Sequence, residues 1–473
     1  MKNLSLSKLV SSPHSSSLVV QSLGLYVVGF GLLLLLPNAY FWDDWFNYFG
    51  KSASEIRAST GPFSGFSPIR LVLEGWMAEY FPGSFRLLTF IAFPIAAYAL
   101  WKVLSRSPLL NRAEASAVTL LFLLLPLNSA RASMTIFMYT ACNLCFFLGW
   151  WAYVTRRGWL GSLLSISLFL MSFDTASFIV FVSVPLTLSL IEHFQENGRL
   201  VSWLRKNLIF LAIGPAYWFV EPILNPTLDK VRAAYYTPSA SGIARGLVVG
   251  MIVSAIPTWL IGFKKYRYVS HRWAIQISVG LVVTWVGMFP YMALGHFPNL
   301  NSLLIGFVPG ASDWDSRHQL LMPLGLAIVI VGSFNALNSA RLLRGVLVVG
   351  LLSTLVNLTF SQEYLLDSIK TDRIIRQFET NDDIQGVRVA LIDDQALRFN
   401  ARGRAIRSYE WDAMLHAANP DLNQQTDILR YVDCSALTPD AIITVTASHG
   451  KLRTLLTRDP GISVSVRPIQ PCP

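Results

Sequence analysis

The chain has 473 residues, of which 53 % are hydrophobic and only 14 % are charged. A soluble protein usually carries about 25 % charged residues, so this composition excludes an ordinary soluble or disordered protein. Four cysteines in such a length also exclude a small disulfide-rich scaffold. The net charge of +10 does not point to nucleic acid, because Lys and Arg collect at the cytoplasmic ends of membrane helices. The sequence therefore predicts a polytopic α-helical membrane protein.

Charged residues are unevenly distributed along the chain. They make up 28 of the 112 residues from Gln362 to Pro473, but only 38 of the first 361. We therefore predict a membrane domain over 1–361 and a soluble domain over 362–473.

Eleven apolar stretches approach the length of about 20 residues that a spanning helix needs. They cover 18–38, 85–104, 113–129, 133–154, 158–173, 176–193, 207–225, 243–263, 273–294, 318–334 and 344–361. The excess of Lys and Arg in alternate loops predicts a cytoplasmic N-terminus. An odd number of spans then places the C-terminal domain outside the cytoplasm, together with the large first loop, 39–84.

This first outer loop begins with two adjacent carboxylates, Asp43 and Asp44, set among aromatic residues. Two like charges beside a membrane raise each other's pKa and need partners. We predict a catalytic or metal-binding role for the pair, with plain solvation at the interface as the alternative. Further along, the stretch from Pro68 to Phe81 has helical periodicity and predicts an amphipathic helix lying in the interface. Arg86 opens the second span, where it either binds phosphate or extends to the interface.

The order of these features resembles the GT-C superfamily of polyprenyl-phosphate-sugar glycosyltransferases. That superfamily includes the protein O-mannosyltransferases, the aminoarabinose transferase of lipid A and the phage-type O-antigen glucosyltransferases. The resemblance implies a GT-C-like fold in which the first-loop acid motif, here Asp43 and Asp44, supplies the catalytic base. The O-mannosyltransferases have Asp-Glu at this place, so the resemblance leaves open which carboxylate is the base. It also leaves open a divalent metal, Mg²⁺ or Mn²⁺, held by Asp44 if by any residue, and no cofactor is assigned.

Further polar residues fall on the predicted outer face. Arg317 and His318 directly precede a span, where an Arg gains nothing from the helix dipole and is better explained by a phosphate or by neighbouring carboxylates. Arg232, Tyr235 and Tyr236 combine a cation with aromatic faces, which suits a phosphate and a sugar, although an anchored interface loop would look the same.

Two carboxylates complete the candidate site. Asp174 either caps the helix that follows it or belongs to the active site. Glu221 lies near the outer end of a span, and carboxylates within the membrane are costly enough to suggest a function. We thus predict donor-phosphate contacts from Arg86, Arg317 and Arg232, and substrate contacts from Asp174, Glu221, Tyr235, Tyr236 and His318.

The C-terminal domain has a mixed α/β pattern. Strands are predicted over 387–392, 441–446 and 462–466, and helices over Tyr364–Thr380, Glu410–Ala418 and His449–Thr457. Cys434 and Cys472 are the cysteines outside the membrane domain, and an oxidising compartment would favour a disulfide between them. The fold class expected is therefore a polytopic membrane protein with a small extracytoplasmic α/β domain.

These features, with the resemblance, predict a multi-pass enzyme of the bacterial inner membrane. It would move a hexose or pentose from a polyprenyl-phosphate-linked donor to a cell-envelope glycan or lipid, such as polysaccharide or lipopolysaccharide. One alternative is a transporter or flippase of lipid-linked glycans, although the sequence has no internal repeat and few charges at mid-membrane. Another is an O-antigen-type polymerase or ligase, which would place its chemistry in a late loop.

Overall fold

The computed structural model describes residues 13–60, 68–155, 158–196, 198–224, 238–262, 272–295, 317, 319–338, 342–384, 387, 389–419, 427–429, 439 and 441–468. Within these residues the chain is mostly helical, and one small sheet lies near the C-terminus. The predicted combination of a helical membrane part and a mixed α/β tail is confirmed at this level.

The membrane part is a series of helices separated by short turns. Their bounds are α1 Pro13–Phe30, α2 Asp43–Asn47, α3 Ala53–Thr60, α4 Pro68–Tyr80, α5 Gly83–Leu104, α6 Arg112–Leu124, α7 Phe137–Thr155, α8 Trp159–Ser172, α9 Ser177–Phe181, α10 Ser183–Gln195, α11 Leu200–Leu224, α12 Ala240–Gly262, α13 Arg272–Ala293, α14 Met322–Asn338 and α15 Leu342–Thr380. Short 3₁₀ segments at Gly31–Leu35, Ser129–Ala132 and Met134–Ile136 adjoin this series.

Of the described helices, five are long and apolar enough to cross a membrane. They are Gly83–Leu104, Met134–Thr155, Ser177–Phe194, Arg272–Ala293 and Leu342–Thr380. Shorter apolar helices cover Val20–Leu35, Trp159–Ser172, Ala240–Ala255 and Met322–Leu337. The chain is therefore an integral membrane protein, but the predicted count of eleven spans and their orientation are not confirmed.

The two predicted domains share one continuous helix, α15. Its 39 residues correspond to about 58 Å at 1.5 Å per residue. The apolar first half belongs to the membrane part, and the second half packs against the tail, so the predicted helix from Tyr364 is the second half of α15. The predicted boundary at Ser361 consequently falls inside a helix, where Ser361 is buried.

The tail is a four-stranded sheet covered by helices. Its strands are β1 Val389–Asp394, β2 Asp427–Leu429, β3 Ala441–Ala447 and β4 Ile462–Pro468, in the order β2-β1-β3-β4. β1 runs parallel to β2 and β3, and β4 runs antiparallel to β3. Helices α16 (Ser408–Ala418) and α17 (Lys451–Thr457) complete it. The three predicted strands and the three predicted helices are confirmed, whereas β2 was not predicted.

The core of the tail extends into the first loop of the membrane part. Ile443 and Val445 of β3 are fully buried and belong to one apolar cluster with Ile374 and Phe378 of α15. Trp45 of the first loop belongs to the same cluster and is only 4 % exposed. The acid pair, which directly precedes Trp45 along the chain, is thereby held between the membrane part and the tail.

The amphipathic helix α4 forms as predicted. Val72, Trp76 and Tyr80 are about half exposed, whereas Glu74 and Met77 are buried. The apolar face therefore turns away from the rest of the protein, as expected for a helix lying against lipid.

Candidate active site at the first loop

The acid pair opens the short helix α2. Asp43 and Asp44 are its first two residues, and Trp42 before them has a φ of +49°. A positive φ is uncommon for a bulky residue and is kept only where the surroundings enforce it. Because successive helical residues are about 100° apart around the axis, the two carboxylates face different neighbours.

Asp44 is fully buried and accepts five hydrogen bonds. Its Oδ1 accepts from Ser133 Oγ at 2.6 Å, from the Thr135 amide at 2.8 Å and from Thr135 Oγ1 at 2.9 Å. Its Oδ2 accepts from the amides of Met134 at 3.0 Å and Phe41 at 3.1 Å. Asp44 thus ties the first loop to the buried segment between α6 and α7.

Opposing effects act on the ionisation of Asp44. Burial raises the pKa of this carboxyl above its usual range, while the charge of Arg86 and the hydrogen bonds from Ser133, Thr135 and Met134 act to lower it. Every partner named is a donor, which suits the carboxylate form. A divalent cation would need several oxygen ligands, and both oxygens of Asp44 are already occupied by N–H and O–H groups, so Asp44 does not fit a metal ligand. Among the described residues, no group of three or more His, Cys, Asp or Glu side chains could hold a metal ion.

Arg86 is also buried, and it is only 3 % exposed. Its Nε donates to the carbonyl of Ala132 at 3.0 Å, and Nη1 donates to the carbonyls of Leu36 at 2.6 Å and Pro37 at 3.3 Å. Its Nη2 donates to the carbonyl of Ala39. Arg86 therefore clamps the end of the first span against the same buried segment that holds Asp44. This position favours a structural role over the predicted contact with a lipid phosphate.

Asp43 has a different environment, because it is partly exposed. Its Oδ1 accepts a hydrogen bond from Tyr409 Oη at 2.8 Å, and Tyr409 belongs to α16 of the tail. Burial, followed by the charge of Asp43 and this hydrogen bond, raises the pKa of Tyr409 well above its usual value. Tyr409 therefore remains a hydrogen-bond donor to the Asp43 carboxylate. Among the described residues, Asp43 Oδ2 has no hydrogen-bond partner, which leaves it available to a ligand.

A group of aromatic and charged side chains, which we call the joint, holds the tail beside Asp43. The rings of Phe41 and Trp42 meet the ring of Tyr364 edge-on, with centroids 5.1 and 5.7 Å apart. The guanidinium of Arg404 lies 5.9 Å from the Phe41 ring and 5.5 Å from the Trp42 ring.

Arg404 itself bridges two buried carboxylates. It lies 2.7 Å from Asp367 of α15 and 2.5 Å from Glu410 of α16. Burial alone would lower the pKa of Arg404, but the charges of Asp367 and Glu410 raise it above its usual value. Arg404 therefore stays charged, and its two ion pairs fix α16 and Tyr409 against the first loop.

Three further candidates, Asp174, Glu221 and Arg317, fall within the described residues. Asp174 is partly buried and accepts a hydrogen bond from Tyr217 Oη at 3.4 Å. It does not cap the next helix, because the N-cap of α9 is Ala176 and has no side-chain bond, so that interpretation was wrong. Glu221 is 4 % exposed in α11, and Arg317 is partly buried. Their contact with substrate stays a prediction.

The remaining candidates, Arg232, Tyr235, Tyr236, His318, Cys434 and Cys472, lie outside the described residues. The two described cysteines, Cys142 and Cys145, lie in α7 and are not joined in a disulfide.

Sequence reasoning missed Ser133, Thr135 and Tyr409. Thr135 lies 91 residues from Asp44 and Tyr409 lies 366 residues from Asp43, so no local pattern joins these pairs. A signal for Ser133 and Thr135 did exist, because they place hydroxyl groups at the start of an apolar stretch.

Comparison with known proteins yields no assignment. No protein-family model matches the chain, and a search of curated proteins finds no match.

Proposed function

We propose that the protein is a membrane glycosyltransferase that moves a sugar from a polyprenyl-phosphate donor to a cell-envelope glycan or lipid. The observation that carries the proposal is the difference in environment between Asp43 and Asp44. Both oxygens of Asp44 accept hydrogen bonds from within the protein, five in all. Asp43 accepts one hydrogen bond, through Oδ1, and its Oδ2 stays accessible at the joint between the membrane part and the tail. A carboxylate in that position suits general-base chemistry on a substrate that reaches it from the bilayer.

In this proposal Asp43 is the base. An acceptor hydroxyl would donate its hydrogen bond to Asp43 Oδ2 and lose its proton to that oxygen as the oxygen of the acceptor attacks the sugar. Tyr409 keeps the carboxylate in place through Oδ1. The sequence leaves the choice between the two carboxylates open, and the burial of Asp44 favours Asp43 as the base.

The leaving lipid phosphate gains negative charge during transfer and needs a cation nearby. Arg407 is exposed near Tyr409, with its guanidinium 6.0 Å from the Tyr409 ring. We assign the phosphate contact to Arg407, with Arg317 and Arg232 as the further candidates that the sequence suggests. Arg86 is not part of this assignment, because its N–H groups already serve backbone carbonyls.

The test is the release of polyprenyl phosphate by the purified, reconstituted protein. A panel of polyprenyl-phosphate hexoses and pentoses would be offered together with an extract of cell-envelope glycans and lipids. Asp43→Asn should lower the rate about 10²–10⁴-fold, because the amide accepts the Tyr409 hydrogen bond but cannot take a proton.

The matched control is Asp393→Asn. Asp393 is an exposed carboxylate at the end of β1 that accepts a hydrogen bond from Gln395, and its replacement should leave the rate unchanged. Wild-type rates in Asp43→Asn would rule out this mechanism, and no release by wild-type protein with any donor of the panel would argue against the substrate class.

A further inference from the structure

The short helix α17 of the tail exposes apolar side chains that the proposed site does not use. Leu452 and Leu456 are 72 % and 78 % exposed, whereas Thr454 between them is fully buried. Residues four apart share one face of a helix, and a residue two positions from both lies on the opposite face. The helix therefore packs through Thr454 and turns its two leucines outward, which is the reverse of the usual arrangement in a domain surrounded by water.

Basic residues flank these leucines. Lys451 and Arg453 are exposed on α17, and Leu397 and Arg398 are exposed on the neighbouring 3₁₀ turn. Arg398 Nη2 donates to the carbonyls of Ala447 at 2.5 Å and His449 at 3.0 Å, which ties this turn to the residues just before α17. We name this surface the basic-apolar patch, and it comprises Leu397, Arg398, Lys451, Leu452, Arg453 and Leu456.

The basic-apolar patch starts where the last span ends. Lys451 Nζ lies 4.0 Å from Glu363 Oε1, and Glu363 is the first charged residue of α15 after Arg344. The Arg402 amide donates to Glu363 Oε2 at 3.0 Å, and the guanidinium of Arg402 lies 4.4 Å from the Phe360 ring.

The uncharged stretch 345–362 is about 27 Å long as a helix, close to the thickness of a hydrocarbon core. Glu363, and Lys451 beside it, therefore lie at the depth of the lipid headgroups.

We propose that the basic-apolar patch binds anionic lipid headgroups of the bilayer that α15 crosses. Exposed leucines next to Lys and Arg are the composition by which a helix inserts at the boundary between headgroups and acyl chains. Each basic residue near an anionic membrane surface strengthens association about fivefold. Among the described residues, Arg453 has no carboxylate partner, so its charge is available to a lipid phosphate. The position beside the end of the span selects lipid over a soluble protein as the occupant.

The experiment uses the full chain in nanodiscs of phosphatidylcholine alone or of phosphatidylcholine mixed with phosphatidylglycerol. Hydroxyl-radical footprinting with mass spectrometry measures the oxidation rate of Leu452 and Leu456. We expect oxidation to be several-fold slower in the discs that contain phosphatidylglycerol, and salt should reverse this protection because it screens the attraction.

Variants test whether the protection depends on the charges of the basic-apolar patch or only on the net charge of the protein. The double change Lys451→Glu and Arg453→Glu should abolish the difference between the two kinds of disc. Arg376→Glu is the matched control, because Arg376 is exposed on α15 about 20 Å beyond Glu363 along the helix, outside the headgroup layer.

Three results would overturn the proposal: equal oxidation of wild-type protein in both kinds of disc, an equal effect of Arg376→Glu, or protection that increases with the number of protein copies per disc. The last would identify a second chain as the occupant. The salt series on wild-type protein decides the question even where a variant fails to fold.

Discussion

Replacing Asp44 should destabilise the protein far more than replacing Asp43, although the two residues are adjacent. Asp44→Asn keeps the side-chain shape but removes the charge and turns one oxygen into an NH₂ donor. The less damaging orientation places this NH₂ at Oδ2, where it would face the amides of Phe41 and Met134. Two accepted hydrogen bonds are then lost, and the NH₂ group faces two backbone N–H groups that are also donors.

The magnitude follows from these two bonds. A hydrogen bond to a charged group contributes about 1.5–3 kcal/mol, so the loss amounts to about 3–6 kcal/mol. The same change removes a buried negative charge that attracts the buried Arg86 guanidinium, which adds to the cost. Because proteins are stable by only about 5–15 kcal/mol, this change should lower the melting temperature by many degrees or prevent folding.

The contrast with Asp43 makes the prediction specific. Asp43→Asn weakens one hydrogen bond from Tyr409 at a partly exposed position, which should cost about 1 kcal/mol or less. Size-exclusion chromatography of detergent-solubilised protein after heating would measure both variants against wild type. Equal melting of Asp44→Asn and wild type would refute the reasoning, because the five donors would then not depend on a carboxylate.

Three further predictions concern the tail. The pKa of Tyr409 is raised in the folded protein, so the stability that this residue provides is fully present below its unfolded pKa of about 10 and is lost as the pH rises above that value. The melting temperature of the wild type should therefore fall more steeply above pH 10 than that of Tyr409→Phe. Parallel curves of melting temperature against pH would contradict this. Cys434 and Cys472 should appear as a disulfide in peptide mass spectra of unreduced protein from membranes. Free thiols at both positions would refute the predicted disulfide. A reporter fused after Thr380 should be active only outside the cytoplasm, and cytoplasmic activity would reverse the predicted orientation.

The sequence predicted the elements of the fold better than their contacts. The strands at 441–446 and 462–466 and the helix at Glu410–Ala418 were found because periodicity and β-branched residues are local signals. β2 was missed, since its three residues are too short for a periodic pattern. The boundary at Ser361 followed a real change in composition, yet the backbone continues as a helix because both halves of α15 bury one face.

The sequence shows the acid pair of the candidate site but not the residues that surround it. An acidic pair after the first span is visible in the sequence, but its partners are not, because Ser133, Thr135 and Tyr409 are distant along the chain. Arg86 shows the same limit. Its position at a helix start suits a phosphate ligand, and only the fold reveals that the carbonyls of Leu36 and Ala132 occupy it.

The joint at the first loop has a physical consequence for the proposed catalysis. Asp43 receives its only described hydrogen bond from the tail, and the tail is fixed by Arg404, whose two carboxylate partners are buried. Breaking a buried ion pair by removing one partner costs about 3–5 kcal/mol, because a buried charge is left without compensation. The orientation of the proposed base is therefore coupled to the docking of a domain that lies more than 300 residues away in sequence. Asp44 anchors the same loop from the membrane side, so Asp43 is positioned from two sides, by Tyr409 of the tail and by the hydrogen bonds of Asp44.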